Sequence, residues 1–178
     1  MVGDRFMAVG DAGCQTNPLH GGGITSSIIG GGLAGETASS ALADGDTSAG
    51  ALWSYNRRFM EDIGARHAAH ELLRRFLYSL SPGDFNYLTV RVAKAGAMFT
   101  TLKRGHLSLP CREGLQVLAA ALARPGLAMR FLRAGRIIEA AMRLYEDDPV
   151  TPAKLESWMG HAEFHMRAMA RLTAGGRR

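Results

Sequence analysis

The sequence predicts a mainly α-helical chain: one short N-terminal strand, a glycine-rich loop, then several helices. Three observations carry this. A single apolar run, Phe6-Met7-Ala8-Val9, has strand character. From Leu52 onward, apolar residues recur three and four apart. Glycine makes up 22 of 178 residues, against a usual ~7%. Proline is low at 6, so the glycine is not a linker signature.

Composition removes several classes. The chain is 47% hydrophobic and 21% charged, too apolar for a disordered chain. Mean hydropathy is −0.04, and no apolar run reaches the ~18 residues of a membrane span. Two cysteines, Cys14 and Cys111, cannot staple a scaffold and suit a reduced, cytoplasmic chain. Met1 to Gly10 shows no charged leader followed by an apolar block. A net charge of +5 tolerates an anionic cofactor or an acidic lipid surface and selects neither. No nucleic-acid partner is expected.

The elements follow in order. Residues 4 to 10 read as one buried strand closed by Gly10-Asp11. A lone strand cannot satisfy its own backbone, so its partners are expected in unrecognised sequence or outside this chain. Residues 11 to 23 read as a loop. A helix is expected from about Gly22 to Leu42. Its glycines at 30, 31, 32 and 35 weaken a helix and imply close packing against another element; Gly31 and Gly35 have the spacing that lets two backbones nearly touch. Asp44-Gly45-Asp46-Thr47 is the turn that ends it and caps the next helix. Residues 48 to 80 read as helix, through Leu52, Tyr55, Phe59, Ile63, Leu72, Leu73, Phe76 and Leu77. Ser81-Pro82-Gly83-Asp84 is a fresh helix start, with that helix running to about Lys103. Leu109-Pro110 breaks the pattern. Helices are expected over 112–122, 125–145 and 152–172, and a frayed end over 175–178.

The segment with chemical content is the strand, then Gly10-Asp11-Ala12-Gly13, then Asn17-Pro18, then Gly21-Gly22-Gly23-Ile24. A carboxylate at a strand tip can accept a hydrogen bond from a sugar-like hydroxyl. A glycine-rich helix N-terminus presents free N–H groups and the positive end of the helix dipole. Together they suit a ligand with a polyol part and an anionic or electron-rich part.

This stretch, Gly10-Asp11-Ala12-Gly13 with Asn17-Pro18-Leu19-His20-Gly21-Gly22-Gly23-Ile24, resembles the second flavin fingerprint of FAD-dependent oxidoreductases related to para-hydroxybenzoate hydroxylase. Within that superfamily it is most similar to the geranylgeranyl reductase family, with His20 in place of a threonine. Leu52-Trp53-Ser54-Tyr55 with Arg57 and Arg58 resembles the family's next helix. The likeness is strong over residues 4 to 60 and weaker beyond.

The resemblance implies FAD as cofactor and a prenyl lipid as substrate. It implies that Asp11 binds a ribityl hydroxyl and that Gly23 and Ile24 offer N–H groups to the pyrimidine end of the flavin ring. Pro18 would shape the loop, and Gly21 and Gly22 would allow close approach. The family's opening Gly-x-Gly-x-x-Gly unit, which holds the ADP half of FAD, does not occur here. The chain is therefore expected to be the C-terminal part of an α/β flavoprotein: a truncated gene, a fragment or half of a split protein. Residues 1–47 would complete the FAD-binding domain and 48–178 would form a helical region.

Plainer readings stand beside these. The loop could be a structural turn. Cys14 reads as a small filler. His161 and His165, like His67 and His70, read as surface pairs and not zinc ligands, since the glutamate of His-Ala-Glu-Phe-His is misplaced for His-Glu-x-x-His chemistry. His20 is a candidate proton donor. Arg124, Arg130, Arg133, Arg136 and Arg143 read as the solvated face of a packed helix, or as a peripheral contact with the inner face of the membrane. Met98, Phe99, Met129 and Met142 suit an isoprenoid tunnel or an ordinary core. The activity expected is flavin-dependent reduction of isoprenoid double bonds. A flavin monooxygenase or halogenase of the same superfamily, and a non-catalytic helical remnant, are the alternatives.

Overall fold

The computed structural model describes residues 1–91, 122–147 and 151–174. The expected helix as far as Lys103, the break at Leu109-Pro110, the helix over 112–122, and Met98, Phe99 and Cys111 lie outside these residues.

The chain begins as a hairpin, not a lone strand over 4 to 10. Strand β1 (Val2–Gly3) pairs antiparallel with β2 (Phe6–Met7), Val2 opposite Met7 and Gly3 opposite Phe6. Arg5 takes the left-handed conformation (φ 57°) that closes the two-residue turn. The apolar run thus finds a partner just upstream. Beyond Met7 the backbone leaves the ladder because Gly10, at φ 67°, starts a 3₁₀ turn over Gly10–Gly13.

Helix α1 (Ile24–Ala43) follows the loop. It buries Ser26, Gly30, Leu33, Ala34, Thr37 and Ala41. Among the described residues, close packing holds at one of its four inner glycines: a Cβ at Gly30 would collide with the Gln15 carboxamide, whereas no described residue lies within 4 Å of one at Gly32 or Gly35. Helix α2 (Ala49–Phe59) starts at Ser48, whose hydroxyl accepts from the Ala51 amide at 3.3 Å. The hairpin turn is stapled to this junction: Arg5 N donates to Thr47 O (2.9 Å) and Ala49 N to the Asp4 carboxylate (2.8 Å).

The helix expected over 48–80 contains a wide turn that no periodicity signals. A π-helical turn, Met60–Gly64, joins α2 to α3 (Ala65–Tyr78). It inserts one residue and so rotates the face of α3 by about 100° against a regular helix. His70 then stands where Ala69 would otherwise face. Helix α4 (Pro82–Arg91) opens as expected, with Asp84 N donating to the Ser81 hydroxyl at 3.1 Å. Helix α5 spans Pro125–Glu146, and a 3₁₀ turn (Pro152–Lys154) leads into α6 (Leu155–Ala174).

Contacts divide the chain into two units, Met1–Glu71 with Ala141–Phe164, and Leu72–Ala140 with His165–Arg178. The first has a core of Leu33, Ala34, Tyr55, Phe59 and Ile63, with Met1, Val2, Met7 and Val9 packed on it. Within it Tyr145 and Trp158 meet edge to face at 4.7 Å, and the Trp158 indole donates to Leu144 O at 3.0 Å. The second unit buries Leu72, Phe76, Leu88, Leu127, Ala134 and Met169. Phe76 meets Phe131 edge to face at 6.0 Å, and Arg124 pairs with Asp84 at 2.5 Å. Helix α5 buries Leu127, Ala134 and Ala141 and leaves Arg133, Arg136 and Arg143 exposed, the pattern of a packed amphipathic helix.

Candidate functional site

Gln15 anchors the glycine loop. After the 3₁₀ turn, Cys14 reverses the chain at φ 55°, and Gln15 N returns to Gly10 O at 3.0 Å. The Gln15 side chain is fully buried. Its oxygen accepts from Gly10 N (2.8 Å), and its nitrogen donates to the Tyr55 hydroxyl (2.5 Å), which donates in turn to Ala8 O (2.8 Å). Burial raises the Tyr55 phenol above its ordinary range, partly offset by the Gln15 bond. Tyr55 therefore stays protonated and keeps donating. Gly30 is what lets Gln15 lie against α1.

Asn17 organises the second half of the loop. It is 6% exposed. Its amide donates to Gly22 O (3.0 Å), its carbonyl accepts from Gly21 N (2.9 Å), and its side-chain oxygen accepts from Leu19 N (2.9 Å). This is a side-chain turn with the half-buried Pro18 inside it, where a fixed φ suits the reversal. Gly21 completes it at φ 73°. The remaining Asn17 group, the side-chain nitrogen, donates to His70 Nδ1 at 2.8 Å. Since the Asn17 oxygen is taken by Leu19, His70 accepts at Nδ1.

His20 is exposed, and its Nδ1 accepts from Gly22 N at 3.1 Å. That leaves Nε2 as the ring atom carrying the proton of the neutral form. His67 lies close enough to feel both neighbours. Its pKa falls to about 4, first from burial, then from the charges of His70, Arg66 and His20. Its Nδ1 is buried, with no hydrogen-bond partner among the described residues.

Asp11 and the start of α1 share one place. Asp11 is exposed and accepts from the Thr16 hydroxyl. A Cβ at Gly23 would lie 2.8 Å from Thr16 Oγ1 and 3.5 Å from Asp11 Oδ1. Only glycine therefore lets the helix begin against this pair. Gly23 is the N-cap, with no side-chain cap. The first intrahelical amide bond is Ser27 N to Gly23 O at 2.8 Å, so the amides of residues 24 to 26 have no carbonyl one turn earlier. The Ser26 hydroxyl holds the loop down by donating to Gln15 O at 2.5 Å. A carboxylate that accepts and a helix end that donates thus lie side by side.

Of the residues the sequence singles out, Asp11, Gly23 and Ile24 meet at the mouth of α1. Pro18, Gly21 and Gly22 form the Asn17 turn, and His20 stands on it. Sequence reasoning passed over Gln15, Thr16 and the Tyr55 hydroxyl, and took Asn17 only as part of a motif; its reading of His67 and His70 as a surface pair is corrected, since both are half-buried and His70 bonds Asn17. Tyr55 was visible as an apolar position in a helix, and nothing local marks its hydroxyl as a strut. Among the described residues, no group of three or more His, Cys, Asp or Glu could hold a metal ion. No described helix is long and apolar enough to cross a membrane.

No protein-family profile matches the chain. Curated proteins do. It is 31% identical over 159 residues to the digeranylgeranylglycerophospholipid reductase of Sulfolobus acidocaldarius, covering 89% of this chain and 35% of that protein. It is 31% identical over 147 residues to digeranylgeranylglycerophospholipid reductase 2 of Methanopyrus kandleri, 83% of this chain and 29% of that protein. With the reductase of Methanothrix thermoacetophila the identity is 40% over 87 residues, 49% of this chain and 22% of that protein. The chain spans about a third or less of the length of these relatives. Over most of its own length, it is similar to one portion of a digeranylgeranylglycerophospholipid reductase.

Proposed function

We propose that this chain is the C-terminal segment of an FAD-dependent oxidoreductase of the geranylgeranyl reductase family, which reduces carbon–carbon double bonds in prenyl lipids. It would work with a dinucleotide-binding portion carried on the same or a separate polypeptide. The observation that carries this reading is 31% identity to a digeranylgeranylglycerophospholipid reductase over 89% of the chain. In this reading residues 1–47 complete the FAD-binding domain and 48–178 form a helical region.

The loop geometry supports a flavin. Asp11 has one carboxylate oxygen engaged by Thr16, and the other accepts from a ribityl hydroxyl. Gly23 and Ile24, at the uncapped start of α1, direct N–H groups and the helix dipole at the electron-rich pyrimidine edge. Gly21 and Gly22 leave room beside the ring, and Pro18 keeps the turn in shape. Reduced flavin, when bound, supplies the hydride. His20, exposed on the loop, is the residue suited to give the accompanying proton, from Nε2 of its imidazolium form. His67 stays neutral, so it adds no positive charge near the loop. Contact with the inner face of the membrane would bring the lipid substrate; Met129 and Leu132, both exposed near Arg133 and Arg136, support a peripheral contact.

The test is to join this chain in frame to the part of the Sulfolobus acidocaldarius reductase that lies outside the match. The joined protein should carry the visible absorbance of flavin. After chemical reduction it should saturate a geranylgeranylated glycerophospholipid, read by mass spectrometry. A colourless protein refutes the flavin assignment. A hydroxylated or halogenated product would replace the reductase reading with the oxygen-dependent alternative.

A further inference from the structure

The Asn17 carboxamide lies between two partners that differ in kind. Its oxygen accepts from Leu19 N at 2.9 Å, and its nitrogen donates to His70 Nδ1 at 2.8 Å. The two ends of a carboxamide have nearly the same shape, so its partners decide which way round it sits. Turned over, its nitrogen would face the Leu19 N–H and its oxygen the His70 lone pair. Donor would then meet donor, and acceptor would meet acceptor. Asn17 is 6% exposed, so little water reaches it and an unpaired group there is costly.

That orientation shapes the loop. The Leu19 bond closes the side-chain turn over Pro18. The backbone of Asn17 meanwhile holds Gly21 N and Gly22 O. One residue thus ties both ends of the segment 17–22, and α3 holds its side-chain donor from outside.

The start of α3 is built for this reach. The π-helical turn Met60–Gly64 precedes it and brings His70 to the loop, where Ala69 would otherwise face. Such turns recur at functional sites. Gly64 belongs to the fit, since a Cβ there would collide with the Met60 side chain. The loop, the π turn and His70 all lie in one compact unit.

We infer that His70 is a positioning residue of the flavin loop, acting through Asn17 and not on the ligand. By accepting from the Asn17 side-chain nitrogen it sets the carboxamide. The carboxamide sets the turn over Pro18 and Leu19, and that turn presents Gly21 and Gly22 to the flavin ring. This rests on the reading of the loop as a flavin site.

The test compares His70→Leu, which removes the acceptor, with His70→Asn, whose side-chain oxygen stands where Nδ1 stands. Both are measured at about pH 8, above the ordinary imidazole range. In the separate chain, NMR follows exchange of the Leu19 amide hydrogen. It quickens about two- to tenfold in His70→Leu, the worth of a neutral hydrogen bond, and returns to the wild-type rate in His70→Asn. In the in-frame joined protein described above, the dissociation constant of FAD rises by the same factor in His70→Leu and recovers in His70→Asn. In an Asn17→Ala background His70→Leu changes neither quantity further, because His70 then has nothing to hold. If His70→Leu does not fold, His70→Gln, whose oxygen stands nearer Nε2, takes its place.

An equal effect in the Asn17→Ala background overturns the inference, as does a failure of His70→Asn to rescue, since His70 would then act by packing alone. Unchanged Leu19 exchange in His70→Leu overturns it too. Faster exchange with unchanged FAD affinity overturns the positioning role and leaves the flavin reading intact. A colourless wild-type joined protein refutes the flavin reading itself, while Leu19 exchange still decides whether His70 holds the turn.

Discussion

Asn17 and His70 lie 53 residues apart in sequence and are joined by a 2.8 Å bond from the Asn17 side-chain amide to His70 Nδ1. The bond ties the glycine loop to α3. It exists only while Nδ1 of His70 is unprotonated, because Asn17 has already committed its oxygen to Leu19 N. Two further imidazoles stand close by, and one of them sets a clear pH dependence.

His67 is held at about 4, below its ordinary 6.5. The unfolded chain therefore takes up a proton that the folded chain refuses. Stability should be full above pH 6.5 and fall progressively as the pH drops towards 4. Urea denaturation at pH 7 and pH 5 should show the loss in the wild type. In His67→Leu that dependence should flatten. A pH slope that is the same in both proteins would refute the assignment to His67.

Tyr55→Phe should cost the separate chain about 1–3 kcal/mol, the penalty for stranding buried polar groups. It deletes one hydroxyl and leaves both Gln15 Nε2 and Ala8 O without their partner. Equilibrium urea unfolding measures it. A change under about 0.5 kcal/mol, the scale of an ordinary surface substitution, would mean that the Gln15 strut does not hold the loop.

Two glycine-to-alanine changes in the same helix should have opposite signs. Gly30→Ala drives a methyl into the Gln15 carboxamide, and overpacking of this kind costs about 1–3 kcal/mol. Gly35→Ala meets no described residue within 4 Å and should gain up to about 1 kcal/mol from helix propensity. Thermal melts of the two variants decide it. Equal shifts of the same sign would contradict the placement of Gln15 against α1.

Asp11→Ala should leave folding almost unaltered, because the carboxylate is exposed. In the joined protein it should weaken flavin retention by about 10- to 150-fold, the worth of a hydrogen bond to a charged group. Flavin content after gel filtration reads the effect. Full retention would remove Asp11 from the site.

Helix α1 and the Ser81-Pro82 start were legible in the sequence, because capping, periodicity and proline act within a few residues; the cap of α2, expected within Asp44–Thr47, falls just past it at Ser48. The proximity of Asp11 to the glycine at the start of α1 was legible too, since the two belong to one local pattern. The hairpin was hidden. Its partner strand is two residues long, and its turn relies on Arg5 in a left-handed conformation, which residue preferences do not favour. The π-helical turn at Met60–Gly64 was hidden too, because apolar spacing reads nearly the same with one residue inserted. That turn decides which side chains of α3 reach the loop. Gln15 with Tyr55, and Asn17 with His70, are partners 40 and 53 residues apart. The sequence by itself determined where a carboxylate and the start of a helix come together, for both belong to one short loop. Which buried groups hold the loop in that shape was decided only by the tertiary structure, because hydrogen bonds between distant residues exist only once packing has brought their elements together.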